Sequence, residues 1–285
     1  MRYKMPTKAV IPDAGFASRF LPITKTIPKA MLPMGAKPVM QLLIEECVAA
    51  GIRDIIVVAT PEGKAVYEDY FYNPVERMHK QLEGQGKLDR FESVKEVLEM
   101  ANVTVIEQDP TLPYGNGTPL VCARPYLDED EAVVYFYGDD LILGAEGGDV
   151  KVLLETYEKY PEVAGIAMAQ EVPEETWNRY GMVALKDKKK QTLDHIVEKP
   201  KTSADSPSNM IVYGRFLVTP AIFKYMVAEN TGIDGELWMS DMITKLVADG
   251  DVLIRKGRGR WLTTGDPVNY FAAYTEFIKM KGGKK

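Results

Sequence analysis

Lys8-Ala-Val-Ile-Pro12 runs directly into Asp13-Ala-Gly-Phe-Ala-Ser-Arg-Phe-Leu-Pro22, and Ile27-Pro-Lys-Ala-Met-Leu-Pro33 follows a few residues later. The apolar run reads as a strand and the small residues behind it as a turn. From Ala14 to Ile44 the chain carries four cations, Arg19, Lys25, Lys29 and Lys37, and no Asp or Glu. The whole chain is acidic, with 41 Asp and Glu against 35 Lys and Arg and a formal net charge of −6. A solvated face of this length in such a chain is expected to carry about four acids. A triphosphate brings roughly four negative charges, and an acidic protein attracts it only through a local basic pocket. Small residues let backbone N–H groups approach phosphates, while Arg adds a rigid fork of donors and Lys a point charge. The segment therefore reads as a polyphosphate cradle after a first strand. The plain alternative is a surface loop that lacks acids by chance.

Composition sets the outer bounds. At 285 residues and 46% hydrophobic, the chain has material for one large domain or two small ones. No run approaches the ~18 apolar residues of a membrane span, and the N-terminus shows no signal-peptide core. The two cysteines, Cys47 and Cys122, read as buried thiols, and His79 and His195 are too few for a His-rich zinc centre. The acidic balance argues against nucleic acid as a partner. The expectation is a soluble cytoplasmic protein with no membrane partner.

The first half alternates strands with helices. Lys8–Pro12, Asp54–Val58, Val103–Glu107 and Ala132–Tyr137 read as strands. Val39–Ala50, closed by Gly51, Glu62–Phe71 and the core Pro119–Arg124 read as helices. Val75–Met100 is charged and helix-rich, with a break at Gly84-Gln-Gly86. This alternation predicts an α/β fold, Rossmann-like, with a mixed but mostly parallel central sheet flanked by helices. Later, Val163–Gln170, Gly181–Leu185, Leu193–Val197 and Met210–Val218 are strand-like with polar connections, pointing to an antiparallel extension. Leu237–Ala248 and Pro267–Lys281 read as helices. Without a Gly/Ser-rich linker, residues 1–285 read as a single domain. Residues 1–145 are its nucleotide- and metal-binding half, and 146–285 its second-substrate half with the C-terminal helices. In open α/β sheets ligands sit beyond the carboxyl ends of the strands.

Gly138-Asp139-Asp140 follows a buried strand, and two carboxylates there are costly unless solvated, hydrogen-bonded or metal-bound. Beside a polyphosphate Mg²⁺ is the natural ligand; a polar turn is the plain alternative. Val197-Glu198-Lys199-Pro200 ends another strand with an acid that can accept sugar hydroxyls and a base that can hold a phosphate. It equally suits an exposed pair. Arg179-Tyr-Gly181 and Tyr213-Gly-Arg215 are weaker signals. Gly115-Asn-Gly117-Thr118 suits close approach to a base or ribose, or a simple turn.

Taken in order, Ala14-Gly…Arg19-Phe-Leu-Pro…Ile-Pro-Lys29-x-Met-Leu-Pro, Gln108, Gly-Asp-Asp, Arg-Tyr-Gly, Val-Glu-Lys-Pro, Gly214-Arg215 and Gly235-Glu236 resemble the bacterial UTP–glucose-1-phosphate uridylyltransferases. The resemblance runs from Lys8 to about Lys281 and implies the nucleotide-diphospho-sugar transferase fold. It also implies Mg²⁺-dependent transfer, with glucose 1-phosphate attacking the α-phosphate of UTP to give UDP-glucose and pyrophosphate. By that likeness Ala14, Gly15, Gln108, Gly115 and Gly117 contact the nucleoside. Arg19 and Lys29 hold the triphosphate, and Asp139 binds Mg²⁺. Asp140, Gly181, Glu198 and Lys199 serve the sugar phosphate. A homodimer or homotetramer is expected on the same ground.

Some motif positions depart from the family pattern. Ala17 and Ala30 stand where the family has Gly and Glu, and Asp13, where the family usually has a small residue, is the candidate to replace the lost carboxylate. The turn Gly115-Asn-Gly-Thr-Pro119 lacks the family's His. Thr263, in Trp261-Leu-Thr-Thr-Gly265, stands where a metal-shell Asp is common, and Asp266 lies three residues out of register. These changes leave open a transferase for another sugar 1-phosphate or dTTP, and a catalytically impaired nucleotide-binding paralogue.

Overall fold

The computed structural model describes residues 2–282. The first strand, β1 (Lys8–Asp13), is buried on both faces. Its alternating side chains divide between two cores, Ala9 and Ile11 on one face and Val10 on the other. Short 3₁₀ turns and the ribbon β2 (Pro33–Met34) and β3 (Lys37–Pro38) lead to α1 (Val39–Ala49), β4 (Asp54–Ala59) and α2 (Pro61–Tyr72). Thr60 caps α2 by accepting the Gly63 N–H at 3.0 Å, with Pro61 at the first helical position. The charged stretch forms α3 (Glu76–Gly84) and α4 (Glu92–Glu99), separated at the expected break. Next come β5 (Asn102–Glu107), α5 (Thr118–Ala123) and β6 (Val133–Phe136).

The later elements are β7 (Asp140–Leu143), α6 (Gly148–Lys159), β8 (Gly165–Glu171), β9 (Gly181–Asp187), β10 (Thr192–Glu198) and β11 (Met210–Val218). The chain closes with α7 (Met239–Leu246), β12 (Val252–Lys256), β13 (Arg260–Thr263) and α8 (Pro267–Gly282). One nine-stranded sheet passes through both halves in the order β5-β4-β1-β6-β11-β8-β12-β10-β9. β5, β4, β1 and β6 are parallel, β11 runs antiparallel to β6 and β8, and β10 pairs antiparallel with β9 and β12. The parallel first half and the antiparallel pairings of the later strands are those read from the sequence.

Helices cover both faces. α1, α2, α6 and α8 contribute Leu43, Tyr67, Leu153 and Phe277 to the core shared with Ile11, while α5 and α7 contribute Leu120 and Ile243 to the core shared with Val10. α6 and the strands β7, β12 and β13 went unassigned in the sequence. β7 and β13 form a separate ribbon that pairs Asp140 with Thr263. Among the described residues no helix is long and apolar enough to cross a membrane. Cys47 is buried and Cys122 half-buried, both as free thiols.

Candidate active site

The carboxyl ends of β1 and β6 meet because residue 138 is glycine. A Cβ there would stand 2.0 Å from the Pro12 carbonyl oxygen. The two turns that leave these strands are thereby brought together. Asp13, at the end of β1, is buried and accepts the Ala30 N–H at 3.0 Å and the Tyr67 hydroxyl. Asp13 is thus a buried tie that folds the basic loop back onto its strand, and burial pushes its carboxyl up. The tie places the adjacent Lys29, whose Nζ lies 2.7 Å from Asp139 Oδ2. Burial works against both charges. The Lys29 ammonium nonetheless holds Asp139 below the usual carboxylate range, and Asp139 and Asp13 hold Lys29 above the usual ammonium range.

Ala17 adopts φ 45°, ψ 46°, the left-handed conformation that glycine takes readily. The alanine therefore keeps a glycine-like turn under strain. Thr24 and Phe20 fasten it by donating to the Ala17 carbonyl at 3.0 and 2.9 Å.

Two lobes open at the strand ends. The first, of about 370 Å³, is lined by Ala14, Gly15, Arg19, Lys29, Gln108, Gly115 and Asp139, most of the predicted nucleotide and phosphate set. The second, of about 620 Å³, is lined by Gly181, Glu198, Lys199, Asp140, Thr263 and Asp266. Arg19, Asn116, Tyr137, Asp139, Lys199 and Trp238 line both, so the lobes join around Asp139. Glu198 reaches its lobe across Gly181, where a Cβ would stand 2.9 Å from Glu198 Oε2. The Ser240 hydroxyl donates to the same oxygen at 2.9 Å, and burial pushes the Glu198 carboxyl up. Lys199 has φ 45° and sets its ammonium 4.1 Å over the Trp238 ring.

Two predicted residues have other tasks. Asp140 lines the larger lobe, but Oδ2 accepts the Gly214 N–H at 2.9 Å and Oδ1 the Trp261 Nε1–H at 2.8 Å. Both oxygens thus brace the wall of the lobe, and burial together with the Asp139 charge pushes the carboxyl up to about 7. Gly117 is buried outside the smaller lobe, with its N–H on the Leu237 carbonyl at 2.8 Å. Lys25 lines neither lobe, and Lys37 is paired with Glu45 at 2.7 Å. Asp266 does not take up the metal-side place either. Arg179 holds it at 2.8 Å, and it caps α8 by accepting the Asn269 N–H at 3.0 Å.

The rings Trp238, Trp261, Tyr137, Tyr180 and Tyr213 were not singled out as site residues, yet they wall the larger lobe. Tyr180, Tyr213 and Trp261 lie inside the motifs Arg179-Tyr-Gly181, Tyr213-Gly-Arg215 and Trp261-Leu-Thr-Thr-Gly265, whereas Tyr137 ends the predicted strand Ala132–Tyr137 and Trp238 sits between Leu237 and Met239, where an aromatic residue reads as core.

A cation-bearing turn after the first strand, the Lys29–Asp139 pair at the strand ends and an adjoining polar lobe are the features to set beside known proteins of the α/β class. The nucleotidyl transferase family model matches residues 8–279. The UTP–glucose-1-phosphate uridylyltransferase of Bacillus subtilis (strain 168) is 35% identical over 96% of this chain and 91% of its own length. UTP–glucose-1-phosphate uridylyltransferase 2 of Staphylococcus saprophyticus is 36% identical over 95% of this chain and 91% of its own. A UDP-glucose pyrophosphorylase crystal structure complexed with UDP-glucose superposes with a TM-score of 0.83 at 27% identity, covering 97% of this chain and 100% of that one. A UTP-bound enzyme of Acinetobacter baumannii gives 0.84 at 28% identity, covering 96% and 94%. The chain belongs to the nucleotidyl transferase family, within its UTP–glucose-1-phosphate uridylyltransferases.

Proposed function

We propose that this chain forms UDP-glucose and pyrophosphate from UTP and glucose 1-phosphate. The observation that carries the reading is the meeting of the two lobes at Asp139, with Arg19 and Lys199 facing both. A nucleoside triphosphate laid along Ala14, Gly15, Gln108 and Gly115 would bring its phosphates to Arg19 and Lys29. A sugar phosphate in the other lobe would set its hydroxyls toward Glu198 beside Gly181 and its phosphate toward Lys199. A phosphate oxygen of glucose 1-phosphate then attacks the α-phosphorus. The new P–O bond forms as the bond to the bridging oxygen breaks, and pyrophosphate leaves with the electron pair. The attacking phosphate needs no proton removed, so catalysis rests on alignment and charge neutralisation.

A divalent cation fits the donor set. Asp139 Oδ2 and Thr263 Oγ1 lie 3.0 and 3.4 Å from the point a Gly265 side chain would occupy. Mg²⁺ typically takes one or two carboxylates and fills its remaining sites with phosphate and water oxygens. We assign Mg²⁺ to Asp139, where it would neutralise phosphate charge. Among the described residues no cluster of three His, Cys, Asp or Glu is arranged for a metal. A cytoplasmic homodimer or homotetramer remains the accompanying reading, tested by solution mass.

Pyrophosphate release from UTP, glucose 1-phosphate and Mg²⁺ tests the activity, and absence of turnover with this pair refutes it. Thr263, a hydroxyl beside the Asp139 carboxylate, motivates one alternative, an impaired paralogue. UTP binding without turnover would favour it.

A further inference from the structure

Phe16 and Tyr114 are 75% and 49% exposed. Single exposed apolar residues are common, but these two stack on each other from separate loops. Their rings are 10° from parallel with centroids 6.3 Å apart, inside the range of interacting aromatic pairs. The Tyr114 loop is pinned to the second half of the chain, for the Tyr114 carbonyl accepts the Leu237 N–H at 2.7 Å. Phe16 projects from the turn after β1, between the lobe-lining Gly15 and Ala17. Tyr114 lines the nucleotide lobe and Phe16 does not. A side chain at Gly15 would stand 3.4 Å from Tyr114 Oη, which places the phenol over the turn. The other rings of this lobe, Tyr137 and Trp238, also wall the sugar lobe. Among the described residues, Tyr114 is thus the aromatic side chain that lines the nucleotide lobe and not the sugar lobe.

We propose that Tyr114 stacks on the planar base of the bound nucleoside triphosphate and that Phe16 is its positioning residue, the pair forming an aromatic flap over the lobe. The inference rests on the nucleotide reading above. Cations hold the triphosphate regardless of the base, whereas an aromatic face rewards any flat base placed against it. The flap therefore contributes affinity for the nucleoside and nothing for the phosphates.

That division gives the test. Binding of UTP and of inorganic tripolyphosphate, which has no base, is measured by calorimetry with Mg²⁺ for the unaltered protein, Tyr114→Ala, Tyr114→Phe, Phe16→Ala and Phe16→Tyr. Tyr114→Ala is expected to weaken UTP on the order of tenfold and to leave tripolyphosphate unchanged, while Tyr114→Phe restores UTP. Phe16→Ala weakens UTP by about threefold, and Phe16→Tyr restores it. UTP affinity unchanged in Tyr114→Ala, or an equal loss for tripolyphosphate, overturns the flap while leaving the nucleotide reading in place. If the unaltered protein binds tripolyphosphate but gains nothing from the base of UTP, the nucleotide reading fails and the flap with it.

Discussion

The phosphate side and the sugar side of the cleft are built by different means. The phosphate side is nearly local: one segment, residues 13–30, closes on itself through the Asp13–Ala30 tie and meets a single strand-end turn. The sugar side is assembled from distant residues. Its frame includes Arg215, fully buried, which donates to Glu46 Oε2 at 2.6 Å, to the Asp140 carbonyl at 2.8 Å and to the Gly214 carbonyl at 2.7 Å. The guanidinium also lies 4.0 Å over the Phe136 ring, and Glu46 accepts the Asp149 N–H at the start of α6. On the proposed assignment of the lobes, the difference teaches that charge for the nucleotide comes from a short loop, whereas shape for the sugar depends on a network spanning the sheet.

If that contrast is right, damage on the phosphate side should remove chemistry and spare the fold. Asp139→Ala is the severest case. It takes away the assigned metal ligand and the partner of Lys29, and a loss of about 10³-fold or more in kcat is expected from the charge-stabilising role. Asp139 stands at a half-buried turn, so circular dichroism should match that of the parent, with the urea midpoint falling less than for a fully buried pair because Asp13 still faces the Lys29 ammonium. A fully active variant would show the metal assignment to be misplaced.

On the sugar side the expectation reverses. Glu46→Ala leaves the Arg215 guanidinium buried without its carboxylate and strips a cap from α6. Breaking a buried pair in this way costs about 3–5 kcal/mol, visible as a large fall in the urea midpoint. A change below about 1 kcal/mol would mean that the network is not a structural frame.

This asymmetry also governed what could be read from the sequence. The parallel strands were legible because each is a short apolar run bounded by turn residues, and Asp54–Val58 needed only Ala59 added. Lys29 and Arg19 stood out because no acid lies near them in sequence. The bracing contacts of Asp140 were not legible because its two partners, Gly214 and Trp261, lie more than seventy residues away, and nothing local distinguishes a carboxylate that braces a loop from one that meets a ligand. α6 did carry a signal, Val150, Leu153, Leu154 and Tyr157 at helical spacing. β7 follows β6 so closely that sequence alone gives no reason to place it in a second sheet.

A subtler break separates the two lobes by substrate. Glu198→Gln keeps the shape beside Gly181 and the Ser240 contact but removes the charge that strengthens hydrogen bonds from sugar hydroxyls. The KM for glucose 1-phosphate should rise by about tenfold, the scale of one charged hydrogen bond, with the KM for UTP unmoved. If both rise together, the lobes are not separate binding surfaces.

The smallest effect tests the strain in the phosphate turn. Ala17 pays roughly 1–2 kcal/mol for its left-handed backbone. Ala17→Gly relieves this, but the freer unfolded chain takes back about 0.4–1 kcal/mol, and the partly buried methyl takes back part of about 0.8 kcal/mol. The net gain in stability should therefore be under about 1 kcal/mol, read from the urea midpoint, with UTP affinity unchanged because the turn already has its glycine-like form. Ala17→Val makes the complementary test, since a β-branched residue is poorly tolerated at positive φ. It should destabilise the protein and weaken UTP together. If valine is as well accepted as glycine, the turn is not held in this conformation, and the local, self-closing character assigned to the phosphate side is lost.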